Sequence, residues 1–216
     1  MNRLEIKAKN SSSIGKEHDA GKARAEERYR NPPQGFIKLK FDGAAKGNLG
    51  EAGIGGIFRD EEGKIKWAYA MDCSIATNNE AEYHAINRGL EIAIREGYQR
   101  LQIEDDSMLV IETIKQIQQG TLAGKLRKSW RTAWVITNVE KQLKRLAYTI
   151  SSHVKRKGNF PVDLLANWGC RNREKQLDEG EAELSQNEEI NQMIQAVEAD
   201  RRNLENSGDA DGRVEG

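Results

Sequence analysis

The sequence predicts a mixed α/β domain, in the α/β or α+β class, with helices flanking one mixed sheet. Three observations carry that expectation. Residues 35–71 hold three short runs with strand-like alternation, residues 78–97 switch to a 3.6-residue period, and strand and helix patterns then alternate to residue 169. A change of period from two to 3.6 marks the passage from strands to helices, and such an order builds a sheet with helices packed on it.

The strand runs are "GFIKLKFDG" (35–43), "AGIGGIFRD" (52–60) and "GKIKWAYAM" (63–71), the last two joined through "DEEG". Short links of this composition predict an antiparallel meander. "NNEAEYHAINRGLEIAIREG" (78–97) is an amphipathic helix closed by Gly97. "RLQIED" follows as a strand, "SMLVIETIKQIQQG" as a helix, 123–146 as further helix, and "AYTISSHV" (147–154) as a strand. "PVDLLANWG" (161–169) reads as a last helix opened by Pro161. Residues 1–34 are a polar arm, expected to be disordered, that ends at "NPPQG". Residues 171–216 form a tail with a weak apolar stripe (Ile190, Met193, Ile194, Val197, Leu204), expected to be partly helical and then disordered. The domain proper is thus expected over 35–170.

The zero net charge conceals an asymmetry of about +3, +4 and −7 across those three segments. A mildly basic domain is compatible with a polyanionic partner, and the acidic tail with a protein partner. Cys73 and Cys170 are far apart in sequence and lack metal-ligand spacing, so reduced thiols in an intracellular protein are expected. The N-terminal residues hold no signal-like apolar stretch, and no run approaches the roughly 20 apolar residues of a membrane span. A soluble monomer is expected, with nucleus, cytosol and organelle all open.

Four places put an acid at the end of an apolar element. Asp42 ends a strand in "KLKFDG", where a turn aspartate is the plain explanation. In "TNNEAEYHAI", a 100° helical step puts Glu80 toward water and Glu82 on the apolar side with Ile86, Gly89 and Ala93. Either a capping role, with Asn79 as N-cap, or a cation would compensate a carboxylate there. Asp105 and Asp106 stand together at the mouth of a strand. The buried stripe of the next helix (Val110, Ile114, Ile117) weakly favours Asp106, for which an N-cap is again the plain explanation. Asp163, in the first turn of "PVDLLANWG", is explained equally well by the helix dipole. Each acid alone has a structural explanation. Converging at one sheet edge, they would need cations, and oxygen-ligated divalent ions fit that need.

The motifs "FDGAAKGNLGEAGIGGIFRD", "ATNNEAEYHAINRGLEIA", "IEDDSMLVIETI" and "SSHVKRKGNFPVDLLANWG" together resemble the ribonuclease H family. More closely, they resemble its type-1-like domains of the plant and retroelement reverse-transcriptase-associated kind. The resemblance covers about residues 35–170, with Val162 and Leu49 as departures from common alanine and proline. It implies a five-stranded mixed sheet. It implies hydrolysis of the RNA strand of an RNA/DNA hybrid, with two Mg²⁺ ions (Mn²⁺ as the substitute) held by Asp42, Glu82, Asp106 and Asp163. It makes Asp106, not Asp105, the functional aspartate and gives His153 a catalytic role. It places Gly43, Asn48 and Asn79 against the hybrid. The stretch "GKLRKSWRTAW", with Lys128 and Trp130, could hold the DNA strand through phosphates and stacking; a helix with solvated bases and buried tryptophans explains it equally well. A catalytically silent, retroelement-derived nucleic-acid-binding domain is the alternative, against which the complete set of acids stands.

Overall fold

The computed structural model describes residues 30–184 apart from 48 and 123–129, together with 188, 192, 193 and 195. The antiparallel meander is present as β1 (Ile37–Ala45), β2 (Gly50–Arg59) and β3 (Ile65–Ala76). Helix α1 (Asn78–Arg95), strand β4 (Arg100–Asp105), helices α2 (Met108–Gln118) and α3 (Trp130–Leu143), strand β5 (Tyr148–His153) and helix α4 (Arg156–Arg171) follow. Strand β6 (Leu177–Gly180) and the short α5 (Glu181–Leu184) follow. The sheet order is β5-β4-β1-β2-β3-β6. β1, β4 and β5 run parallel, and β1-β2-β3-β6 pair antiparallel.

The sheet therefore has six strands, not the five expected. The sixth comes from the acidic segment, where "LDEG" has no alternating pattern to announce it. β6 pairs Leu177 with Ala70 and Gly180 with Trp67. Asp178 accepts from Trp67 Nε1 (2.8 Å), from Arg95 at 3.0 and 3.1 Å, and from Arg88. These contacts fasten the added strand to β3 and to α1.

Alternation along β1 assigns the two faces. Leu39 and Phe41 enter the main core with Ile86, Leu90, Ile103, Ile111 and Ile114, under α1, α2 and α3. Each such side chain stabilises the fold by about 1.5–3 kcal/mol on full burial. On the other face, Val162, Leu165 and Trp168 of α4 cover Ile57, Ala68 and Ala70, joined by Leu177 and Leu184. The close approach of α4 requires glycine at position 55: a Cβ there would lie 2.5 Å from the Ala166 nitrogen.

Helix α4 starts at Arg156, five residues before the expected start at Pro161, which lies inside the helix. Among the described residues no helix is long and apolar enough to cross a membrane. Cys73 and Cys170 are free thiols.

Candidate active site

In a sheet of this topology, ligands bind beyond the carboxyl ends of parallel strands. Here those ends carry acids. Asp42 lies near the end of β1, opposite Gly55 of β2. Asp105 closes β4, the parallel neighbour of β1, and Asp106 follows it. His153 closes β5, in register with Asp105. Glu82 arrives from α1 across Gly43. A Cβ on Gly43 would lie 2.2 Å from the Ala81 carbonyl carbon, so only glycine lets the helix approach β1 where Glu82 projects.

The structural explanations for Glu82 and Asp106 fall to their neighbours. The N-cap of α1 is Thr77, not Asn79: its hydroxyl accepts from Glu80 N (3.2 Å) while Glu80 Oε2 accepts from Thr77 N (2.8 Å). Glu80 is thus the capping-box acid. It is buried rather than turned to water, because Arg131 Nε also donates to it at 2.6 Å. Burial opposes ionisation of Glu80, yet the Thr77 and Arg131 hydrogen bonds hold its pKa below the ordinary value. Likewise Ser107 caps α2, with Val110 N donating to its hydroxyl at 3.4 Å. Glu82 and Asp106 are left with no capping duty. Asp163 lies two turns into α4 rather than in the first turn, so the helix-dipole explanation for it is lost as well.

Ligand oxygens of Asp42, Glu82, Asp105 and Asp106 all lie within 4.8 Å of one another. Burial, then the charges of Asp105, Asp106 and Asp163, push the Asp42 carboxyl up from 3.8 to about 8. Glu82 is raised by burial and by Asp105, Asp42 and Asp106, and Asp105 by burial and Asp106. Four carboxylates this close cannot all remain ionised without a cation. Glu82 Oε2 is buried without a hydrogen-bond partner. An all-oxygen donor set with an orphaned carboxylate oxygen fits a hard divalent ion.

Asp163 is half-buried and near enough to raise the Asp42 pKa, but it stands outside the 4.8 Å group. His153 is exposed, with Nε2 3.0 Å from the Asp106 carbonyl oxygen. Of the proposed substrate contacts, Gly43 is buried under α1, Asn79 is exposed on the first turn of that helix, and Trp130 is 80% exposed. Trp130, Trp134, Ile75 and His84 line a groove together with the Arg131–Glu80 ion pair. Asn48 and Lys128 lie outside the described residues.

Two residues at the site stand outside the set of candidate residues drawn from the sequence. Asp105, set aside as a bystander, has no exposed surface and belongs to the acid group. Asn159 is buried with its amide among the acids; its signal was its place at the head of "NFPVDLLA", the stretch that carries Asp163.

A mixed sheet with acids on adjoining strand ends and on the helices of both faces is the fold of the ribonuclease H-type nucleases. The chain belongs to the reverse transcriptase-like family, whose model matches residues 40–169. Ribonuclease HI of Halobacterium salinarum is 31% identical over 133 residues, 62% of this chain and 63% of that protein. A putative ribonuclease H protein of Arabidopsis thaliana is 26% identical over 138 residues, 64% of this chain and 21% of the relative. The chain thus spans less than two thirds of either curated relative. Among solved structures, ribonuclease H1 of Halobacterium salinarum superposes with a TM-score of 0.56 at 27% identity, over 63% of this chain and 98% of that one. The LC11 ribonuclease H1 solved in complex with an RNA/DNA hybrid gives 0.51 at 26%, over 63% and 97%.

Proposed function

We propose that the chain is an endoribonuclease that hydrolyses the RNA strand of RNA/DNA hybrids, with Asp42, Glu82, Asp106 and Asp163 holding two divalent cations, Mg²⁺ first and Mn²⁺ as substitute. The observation that carries this reading is the convergence of Asp42, Glu82, Asp105 and Asp106 within 4.8 Å at the carboxyl ends of β1 and β4. When bound, such a pair of cations activates water and stabilises the leaving oxygen of an in-line phosphodiester hydrolysis. The P–O3′ bond breaks, leaving a 3′-hydroxyl and a 5′-phosphate.

The chain's residues orient and protonate. His153 stands at the rim beside Asp106, exposed to solvent, where its imidazole can carry a proton to or from the reacting phosphate. Gly43, Asn48 and Asn79 are the proposed contacts that sense the RNA 2′-hydroxyl, which distinguishes RNA from DNA. Lys128 and the exposed Trp130 are the proposed contacts to the DNA strand through phosphate and stacking. The catalytic domain is proposed over 35–170, with β6 and α5 (177–184) of the acidic segment added to its sheet, acting as an intracellular monomer, and the rest of 171–216 available to a protein partner.

A strand-labelled hybrid tests this, with and without Mg²⁺, beside Asp106→Asn and duplex-DNA controls. Mg²⁺-dependent cutting of RNA alone, abolished by the substitution, is expected. A folded chain that binds hybrid but cuts nothing in Mg²⁺ or Mn²⁺ is instead a silent binding domain, and duplex-DNA cutting at a comparable rate makes it a different nuclease.

A further inference from the structure

The adjacent aspartates are in different surroundings. Asp105 is completely buried and each of its oxygens already accepts a hydrogen bond: Ser107 N donates to Oδ2 at 3.2 Å and Asn159 Nδ2 to Oδ1 at 3.1 Å. Asp106 is half-buried, and the one hydrogen bond to its carboxylate among the described residues comes from the same Asn159 Nδ2, at 3.3 Å. That amide also donates to the Phe41 carbonyl oxygen at 3.0 Å, the peptide oxygen immediately before Asp42. One buried –NH₂ group, its two hydrogens shared among three acceptors with the Asp106 contact the longest, therefore spans the end of β1, the end of β4 and the Asp106 carboxylate. Asn159 is only 1% exposed, and its Oδ1 has no partner, so its amide is oriented by the acceptors on the nitrogen side alone. The turn that carries it is fixed in turn, because Lys40 Nζ donates to the Gly158 carbonyl at 2.6 Å.

We propose that Asn159 and Asp105 form a buried positioning pair, in which Asp105 anchors the Asn159 amide and that amide sets the Asp106 carboxylate against Asp42 for cation binding. Asp105 is in this view an anchor and not a ligand. Each of its oxygens is already engaged by a donor, whereas Oδ2 of Asp106 accepts no hydrogen bond among the described residues. An asparagine in place of Asp105 cannot do the same. With one carbonyl oxygen, it would turn an N–H₂ group toward either the Ser107 N–H or the Asn159 amide, donor against donor. The inference rests on the proposed cation site but not on cleavage of a hybrid.

The test is calorimetric titration of Mn²⁺ into the full chain without substrate, for wild type, Asn159→Ala, Asp105→Asn and Asp106→Asn. Melts in chelator establish that each variant is folded, and kcat and KM on hybrid are measured in parallel. Asn159→Ala leaves every carboxylate in place, so a purely structural asparagine would not change cation uptake. Loss of an outer partner of a metal ligand weakens binding roughly 10–100-fold. The expected result is at least about a tenfold loss in Mn²⁺ affinity for Asn159→Ala and Asp105→Asn, a larger loss for Asp106→Asn, and KM within about twofold with kcat recovering in excess cation. Unchanged affinity in folded Asn159→Ala overturns the pair. If that variant does not fold, unchanged affinity in Asp105→Asn overturns it equally. A loss in Asp105→Asn as complete as in Asp106→Asn makes Asp105 a ligand and overturns its role as anchor. A wild type that takes up Mn²⁺ but leaves hybrid intact defeats the nuclease reading alone, and the pair is still judged by the titration.

Discussion

Replacing Asp42 with asparagine should stabilise the cation-free protein while abolishing its proposed activity. Asp42 is 7% exposed, and burial with three neighbouring carboxylates raises its pKa from 3.8 to about 8. An unfolded aspartate has lost its proton by about pH 5, whereas folded Asp42 holds it until about pH 8. Folding therefore takes up a proton across that window, and the stability falls as pH rises through it. Each pH unit is worth at most about 1.4 kcal/mol for this group, or about 2.7 kcal/mol between about pH 5 and 7. Coupling to Glu82 and local relaxation reduce that to about 1–2 kcal/mol. For a chain of this size the melting temperature should drop by roughly 2–8 °C between about pH 5 and 7 in chelator. The Asp42→Asn side chain has no proton to take up, so the variant should lose this share of the slope and melt higher than wild type at neutral pH. Millimolar Mg²⁺ should raise wild type and leave the variant nearly unmoved. Thermal melts at both pH values, with chelator or Mg²⁺, make the comparison. A variant no more stable than wild type at neutral pH in chelator would refute the claim that the clustered acids strain the fold.

Three further substitutions probe the surroundings. Asp178→Ala removes the acceptor shared by Trp67, Arg88 and Arg95 and should cost about 1–3 kcal/mol. Hydrogen exchange should show β6 opening first, with hybrid cleavage retained; an unchanged melt would show that β6 is held by backbone pairing alone. Gly43→Ala forces a Cβ to within 2.2 Å of the Ala81 carbonyl carbon and should cost about 1–3 kcal/mol while displacing Glu82. It should therefore lower both the melting temperature and Mn²⁺ affinity, and normal values for both would remove the close-approach argument. Arg131→Ala leaves buried Glu80 with its Thr77 cap but without its cation, and a loss of about 1–2 kcal/mol is expected by denaturant unfolding. A loss within error would show that the cap alone compensates Glu80.

The meander, α1 and β4 were legible because their patterns are local. The alternation of β1 and the apolar stripe of α1 say which face is buried whatever surrounds them. The caps were less legible. Thr77 and Asn79, like Ser107 and Asp106, are both good N-caps, and the choice rests on where packing starts the first turn. That two-residue displacement at α1 decides whether Glu80 or Glu82 serves as the capping acid. The start of α4 was misplaced for a related reason: Pro161 suits a first turn, but here it lies within a helix that packs directly on the glycines of β2. β6 was not legible at all, since four residues without alternation are selected by Trp67, Arg88 and Arg95, more than 80 positions away.

Asp105 shows most sharply how far sequence could go. Strand alternation could not separate it from Asp106, because both lie where the strand ends and the period changes. The separation depends on donors from elsewhere: the Ser107 peptide of the next turn and Asn159 of a helix across the sheet. Those donors lower the cost of ionising Asp105, yet burial still leaves it raised to about 7. Its neighbours are thus crowded by a carboxylate that has little exposure to screening water. Crowding of this kind is unfavourable to the cation-free fold and favourable to cation uptake, since neutralising clustered charge releases the same free energy that gathering it cost. The apolar core beneath α1 supplies the margin of stability that lets this chain keep such a cluster assembled before any cation arrives.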